Sequence, residues 1–186
     1  MRQCLLFFLL ALGAATAAQA QTQVNAAAQS HCSADETPLF TCQIGPKIAS
    51  VCGSKDLNAA NAYVQYRFGK KDAVELEAPP KATDKPAPVG HMHAMCTSCT
   101  GDYLRFSSGG TRYYVFSASM KDPKTGASNE RAGVVVMENG QVTDTKLCTS
   151  PATDLRMDQS SLGRAAVRLK PQDDIYPLDL AFPGEP

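Results

Sequence analysis

From residue 38 onward, apolar and polar side chains alternate in short runs, each closed by a turn signal. Leu39-Phe40-Thr41-Cys42-Gln43-Ile44 runs into Gly45-Pro46, and Lys47-Ile48-Ala49-Ser50-Val51-Cys52 runs into Gly53. Two apolar-rich runs flanking a tight turn predict a β-hairpin. In the next run Val64, Tyr66 and Phe68 share one face and Gln65 and Arg67 the other, the period of a half-buried strand. Gly69-Lys70-Lys71-Asp72 turns the chain, and Ala73-Val74-Glu75-Leu76-Glu77 returns it. Pro79, Pro80, Pro86 and Pro88 make 78–90 an irregular connection, partly polyproline II in character.

The second half repeats the style. Tyr103-Leu104-Arg105-Phe106 enters the turn Ser107-Ser108-Gly109-Gly110, and Arg112-Tyr113-Tyr114-Val115-Phe116-Ser117 leaves it. Residues 121–130 form a polar loop. Gly133-Val134-Val135-Val136-Met137 is apolar on both faces, which predicts an interior strand. Asn139-Gly140 suits a type I′ turn, whose two central residues need positive φ, and Gln141–Cys148 is the return strand. A short helix is expected within 152–166, capped by Thr153 or Asp154, followed by an irregular tail from about residue 167. About eight strands, little helix and dense turns predict an all-β fold, a single antiparallel sandwich or barrel over 32–186.

The first twenty residues change the picture. Arg2, the apolar run Leu5–Leu12 and Ala18-Gln19-Ala20 before Gln21 have the form of a secretory signal peptide. The apolar run is too short for a transmembrane anchor. Residues 21–31, rich in Ala, Gln and Asn, are expected to be disordered after cleavage. The expected address is periplasmic or secreted. Net charge is zero, so there is no electrostatic footprint for nucleic acid.

Seven cysteines, one of them Cys4 in the leader, leave Cys32, Cys42, Cys52, Cys96, Cys99 and Cys148. An even set in an exported chain predicts disulfides, with 15 possible connectivities for six cysteines. The expected pairs are Cys42–Cys52 between neighbouring strands, Cys96–Cys99 as a local loop, and Cys32–Cys148 tying the ends.

Two segments carry candidate chemistry. Ser107, Ser108, Arg112 and Tyr113 place hydroxyl and guanidinium donors at a hairpin tip, and Tyr and Arg are enriched at interface hot spots. The alternative is a copper or zinc site in His91, Met92, His93, Met95, Cys96 and Cys99, a set of soft ligands suited to those metals. Against it, paired cysteines in an exported chain tend to oxidise, and a disulfide sulfur is not a thiolate ligand. Thioredoxin-like chemistry at Cys96 and Cys99 would need a following helix N-terminus, and a strand follows instead. The chain has no G-x-S-x-G and no H-E-x-x-H. Glu75 and Glu77 share a strand face, which fits solvation better than a glycosidase carboxylate pair. The expectation is therefore a binding module, not an enzyme, with no cofactor.

The string Leu39-Phe40-Thr41-Cys42, Ser50-Val51-Cys52, Tyr66-Arg67-Phe68-Gly69 resembles a group of small exported proteobacterial proteins. That group also carries stretches similar to Tyr103–Phe106, Gly109-Gly110, Tyr114-Val115 and Ala132–Val136. This resemblance, over roughly 36–150, implies export and a fold more than an activity. More distantly, Phe40-Thr41-Cys42 followed by Ile48-Ala49-Ser50-Val51 is similar to the opening of the periplasmic and membrane-bound inhibitors of c-type lysozyme, which are small β-barrels. Those inhibitors carry S-G-x-x-Y on an inserting loop. Here Ser108-Gly109-Gly110-Thr111-Arg112 places Tyr113 one residue late. The resemblance implies Ser108 and Tyr113 as contacts to a lysozyme cleft, with Arg112 as a cationic partner for its carboxylates.

Overall fold

The computed structural model describes residues 30–57, 59–80, 90–95, 98–150, 152 and 170–171, with 90–95 and 170–171 described by their backbone. β1 (Glu36–Ile44), β2 (Lys47–Ser54), β3 (Val64–Lys70) and β4 (Ala73–Ala78) form a four-stranded antiparallel meander. β5 (Gly90–Met95), β6 (Cys99–Ser108), β7 (Thr111–Lys121), β8 (Ser128–Glu138) and β9 (Gln141–Leu147) make a second antiparallel meander. β10 (Lys170–Pro171) adds a short parallel pairing at the β5 edge. The two sheets pack as an all-β sandwich, and no helix occurs among the described residues.

The shared core follows from the alternation. Phe40, Ala49, Val51, Val64, Tyr66 and Ala78 of the first sheet meet Leu104, Phe106, Val115 and Val134 of the second. Tyr66 stacks obliquely on both Phe106 and Tyr113, with ring centroids 5.9 and 5.6 Å apart. Burial, and secondarily the charge of Tyr113, push the Tyr66 hydroxyl pKa up. The far face of the second sheet is also apolar: Tyr103, Tyr114, Phe116, Val135 and Met137 cluster there. Both faces of β8 are thus buried at Val134 and Val135, as its apolar run predicts.

The turns obey their residues. Asn139 and Gly140 both take positive φ, 52° and 79°, the type I′ geometry that Asn-Gly suits. Residues 121–130 are tighter than the expected loop. β7 continues to Lys121, β8 starts at Ser128, and Asp122 Oδ1 accepts the Lys124 and Thr125 N–H groups at 2.7 and 3.1 Å.

Several expectations are corrected. Gly90, expected to close the irregular connection, instead opens a strand that runs to Met95, because β6 offers a complete partner edge. Lys170–Pro171 is paired, so the tail is not irregular at that point. The expected helix, apart from Ala152, lies outside the described residues, as do the leader and 21–29. Ser30 and His31 do not belong to a disordered arm: the His31 N–H donates to Ser50 Oγ at 3.0 Å, and its ring Nε2 lies 3.2 Å from the Gly69 carbonyl.

Gly133 lies where β9 approaches closely. A Cβ there would sit 2.3 Å from the Lys146 carbonyl oxygen. Gly133→Ala is expected to cost about 1–3 kcal/mol, the usual range for overpacking. A lowered urea midpoint, with faster amide exchange across Gln141–Leu147, is the check.

Candidate functional site

The densest polar cluster lies on the outer face of the four-stranded sheet. Alternation turns Ser50, Cys52, Gln65 and Arg67 away from the sandwich core, and the segment from Ser30 to Glu36 lies over them. Cys32 is bonded to Cys52, with Cα atoms 5.3 Å apart. The Arg67 guanidinium donates to both Glu36 oxygens, at 2.6 and 2.7 Å, and to the His31 carbonyl at 2.9 Å. Its Nε donates to Gln65 Oε1 at 2.9 Å, and Gln65 Nε2 donates to the Pro79 carbonyl at 2.8 Å. The Tyr63 hydroxyl and the Ser33 N–H complete the shell of Glu36, at 2.6 and 2.7 Å.

The electrostatics follow. Burial opposes the Glu36 anion, but the bonds from Arg67, Tyr63 and Ser33 outweigh it and hold its pKa at about 2. Burial and the Glu36 carboxylate push Tyr63 up to about 12. Burial also opposes the Arg67 cation, and Glu36 and Glu77 outweigh that cost. Glu77 ion-pairs with Arg67 and Glu75 with Lys47, so the two carboxylates flagged in the sequence balance cations. Cys32, Glu36 and Cys52 bring ligand-type atoms within 4.8 Å of one another. Both sulfurs are in a disulfide and the carboxylate is held by Arg67, so the oxidised protein has no metal centre there. The cluster is a latch that fastens the start of the domain to its sheet. Sequence reasoning missed it because Glu36 and Arg67 are 31 residues apart.

The cysteine pairing differs from the expectation. Cys42 is bonded to Cys148, with Cα atoms 5.7 Å apart, and Cys32 to Cys52. The Cys42–Cys52 pair is excluded by register: Cys42 faces Ala49 and Cys52 faces Pro38 across the hairpin. Three residues of offset is about 10 Å along a strand, beyond disulfide reach. Cys32 cannot tie to Cys148 because each has another partner. Cys99 is itself oxidised, while Cys96, its expected partner, lies outside the described residues.

The hairpin between β6 and β7 does not present its four candidate residues together. Ser107 and Arg112 are cross-strand partners on one face, both exposed. Ser108 and Tyr113 fall on the opposite face, and the Tyr113 ring is half-buried against Tyr66. Of the metal candidates, His91, Met92, His93 and Met95 lie in β5, with Met92 out of phase with the other three along the strand. Cys99, being oxidised, offers no thiolate to that set.

What the geometry defines is a disulfide-bonded β-sandwich with a latched N-terminal segment and an exposed hairpin end. Disulfides of this kind persist outside the cytoplasm. No family model, curated protein or solved structure matches the chain.

Proposed function

We propose that this protein is an exported, non-enzymatic binding module, periplasmic or secreted, that engages a carboxylate-bearing protein partner through the β6–β7 hairpin. The particular partner proposed is a lysozyme-like glycosidase. One observation carries the proposal: Ser107 and Arg112 stand side by side and exposed at the end of a hairpin whose base is fully buried at Leu104, Phe106 and Val115. A fixed hairpin loses little freedom on docking, and a guanidinium beside a hydroxyl matches a cleft containing carboxylates. Arg112 already takes part in an interaction within the chain; its five donors leave capacity for a partner. The placement of Tyr113 favours Arg112 as the anchor over an S-G-x-x-Y-type tyrosine contact. The signal-peptide pattern and the disulfides support the address.

The test is titration of purified protein into c-type lysozyme while cell-wall lysis is followed, alongside a pull-down from envelope extract. Inhibition is expected, with Arg112→Glu weakening it about thirtyfold, the ~2 kcal/mol of a hot-spot arginine. Unimpeded lysis at micromolar excess removes the lysozyme partner. An Arg112→Glu protein that inhibits as well as the wild type removes the hairpin.

A further inference from the structure

Among the described residues β9 is an edge strand, and it contributes little to the core. Six of its seven residues are exposed, Lys146 being intermediate. Val142 and Leu147 are two of the three large apolar side chains exposed among the described residues, and the third, Val74, lies on the other sheet's edge strand β4. Its outward hydrogen-bonding groups can be assigned. The Cys148 N–H donates inward to Ala132 of β8 at 2.9 Å. Strand alternation then turns Asp144 and Lys146 inward as well, and leaves the N–H and C=O of Thr145 and Leu147 pointing away from the sheet. An unpaired edge is a template for another strand.

We propose that this edge pairs with β9 of a second copy, antiparallel, about a two-fold axis at Thr145. Charge selects the register. Centred on Thr145, Asp144 of each chain faces Lys146 of the other, and Thr143 faces Leu147. Centred on Asp144, two like charges would meet directly, which disfavours that register. In the chosen register Thr145 exchanges both backbone bonds with its own copy, and the four charges alternate in sign across the seam. Asp144 and Lys146 already contact each other within one chain, so the pair is prearranged. The irregularity at Val136/Met137 leaves Thr143 as an extra residue opposite β8. That bulge limits the regular seam to a few residues, so the dimer is weak and forms at high protein concentration.

Sedimentation equilibrium over a concentration series of the purified protein tests this. A reversible monomer–dimer equilibrium is expected. Thr145→Pro should abolish the dimer while sparing the fold, since it removes only an outward N–H. Lys146→Asp should weaken the dimer about tenfold by setting like charges opposite one another. The swap Asp144→Lys with Lys146→Asp should restore it, and this arm decides the matter even if Thr145→Pro fails to fold. A protein that stays monomeric throughout overturns the proposal. So does a dimer indifferent to Lys146→Asp, or one that the swap does not restore.

Discussion

Replacing Cys42 and Cys148 together by alanine is expected to lower unfolding stability by about 4–5 kcal/mol, on the chain-entropy account of a long closed loop. The bond spans 106 residues, and Cys42 is buried in the shared core. Reducing the bond frees the unfolded chain to explore conformations that the intact protein is denied. The Cys32–Cys52 bond spans only 20 residues, and on the same account its removal costs nearer 3 kcal/mol. Urea titrations of the two double variants provide the measurement. A larger loss from the shorter loop would show that local contacts around the N-terminal latch, and not loop closure, set the stability.

The second large effect concerns the latch. Arg67→Met is expected to cost about 3–5 kcal/mol at neutral pH, because it strands a buried carboxylate. The Glu36 side chain is only 3% exposed, and it keeps just the Tyr63 hydroxyl and the Ser33 N–H when the guanidinium is gone. The pH dependence identifies the cause. In the wild type, Glu36 is lowered from 4.5 to about 2, so its contribution is present above about 4.5 and is lost as pH falls toward 2. In Arg67→Met, burial acts without its largest counterweight and favours the neutral acid. The variant's deficit should therefore shrink on acidification. Glu36→Leu with Arg67→Met should recover much of the loss at neutral pH, since no charge is then left buried. Urea midpoints at about pH 7 and about pH 3 distinguish these outcomes. A deficit that does not change with pH would mean the guanidinium acts through packing alone.

Eight strands were legible because each is an apolar-rich run, alternating or, at Val134–Val136, continuous, with a turn residue at its end. His91-Met92-His93-Ala94 does alternate, but the run lacks the β-branched and aromatic residues typical of strands, and β6 supplies the pairing that makes it one. Lys170–Pro171 is too short for any period to show. The hairpin register alone excludes the expected Cys42–Cys52 bond. Once Gly45-Pro46 is the two-residue turn, Ile44 faces Lys47 and Cys42 must face Ala49, which removes Cys52 as its partner. The Glu36 latch was not recoverable in that way. Alternation places Gln65 and Arg67 on the polar face of β3, but no local rule says that the chain preceding β1 folds back over that face. The split of the hairpin residues follows from the period of two: Ser107 and Ser108 are adjacent and so cannot share a face, and the same holds for Arg112 and Tyr113.

The crossed order of the two long-range bonds bears on how the chain matures. As a polypeptide emerges from its N-terminus, Cys32, Cys42 and Cys52 appear in turn, and the correct first bond skips the middle thiol. Cys42 must then stay reduced until residue 148 arrives. Oxidation in strict order of emergence would join Cys32 to Cys42, a wrong pair. A Cys32–Cys42 bond formed in that order would have to be resolved by thiol–disulfide exchange before the native pairs could form.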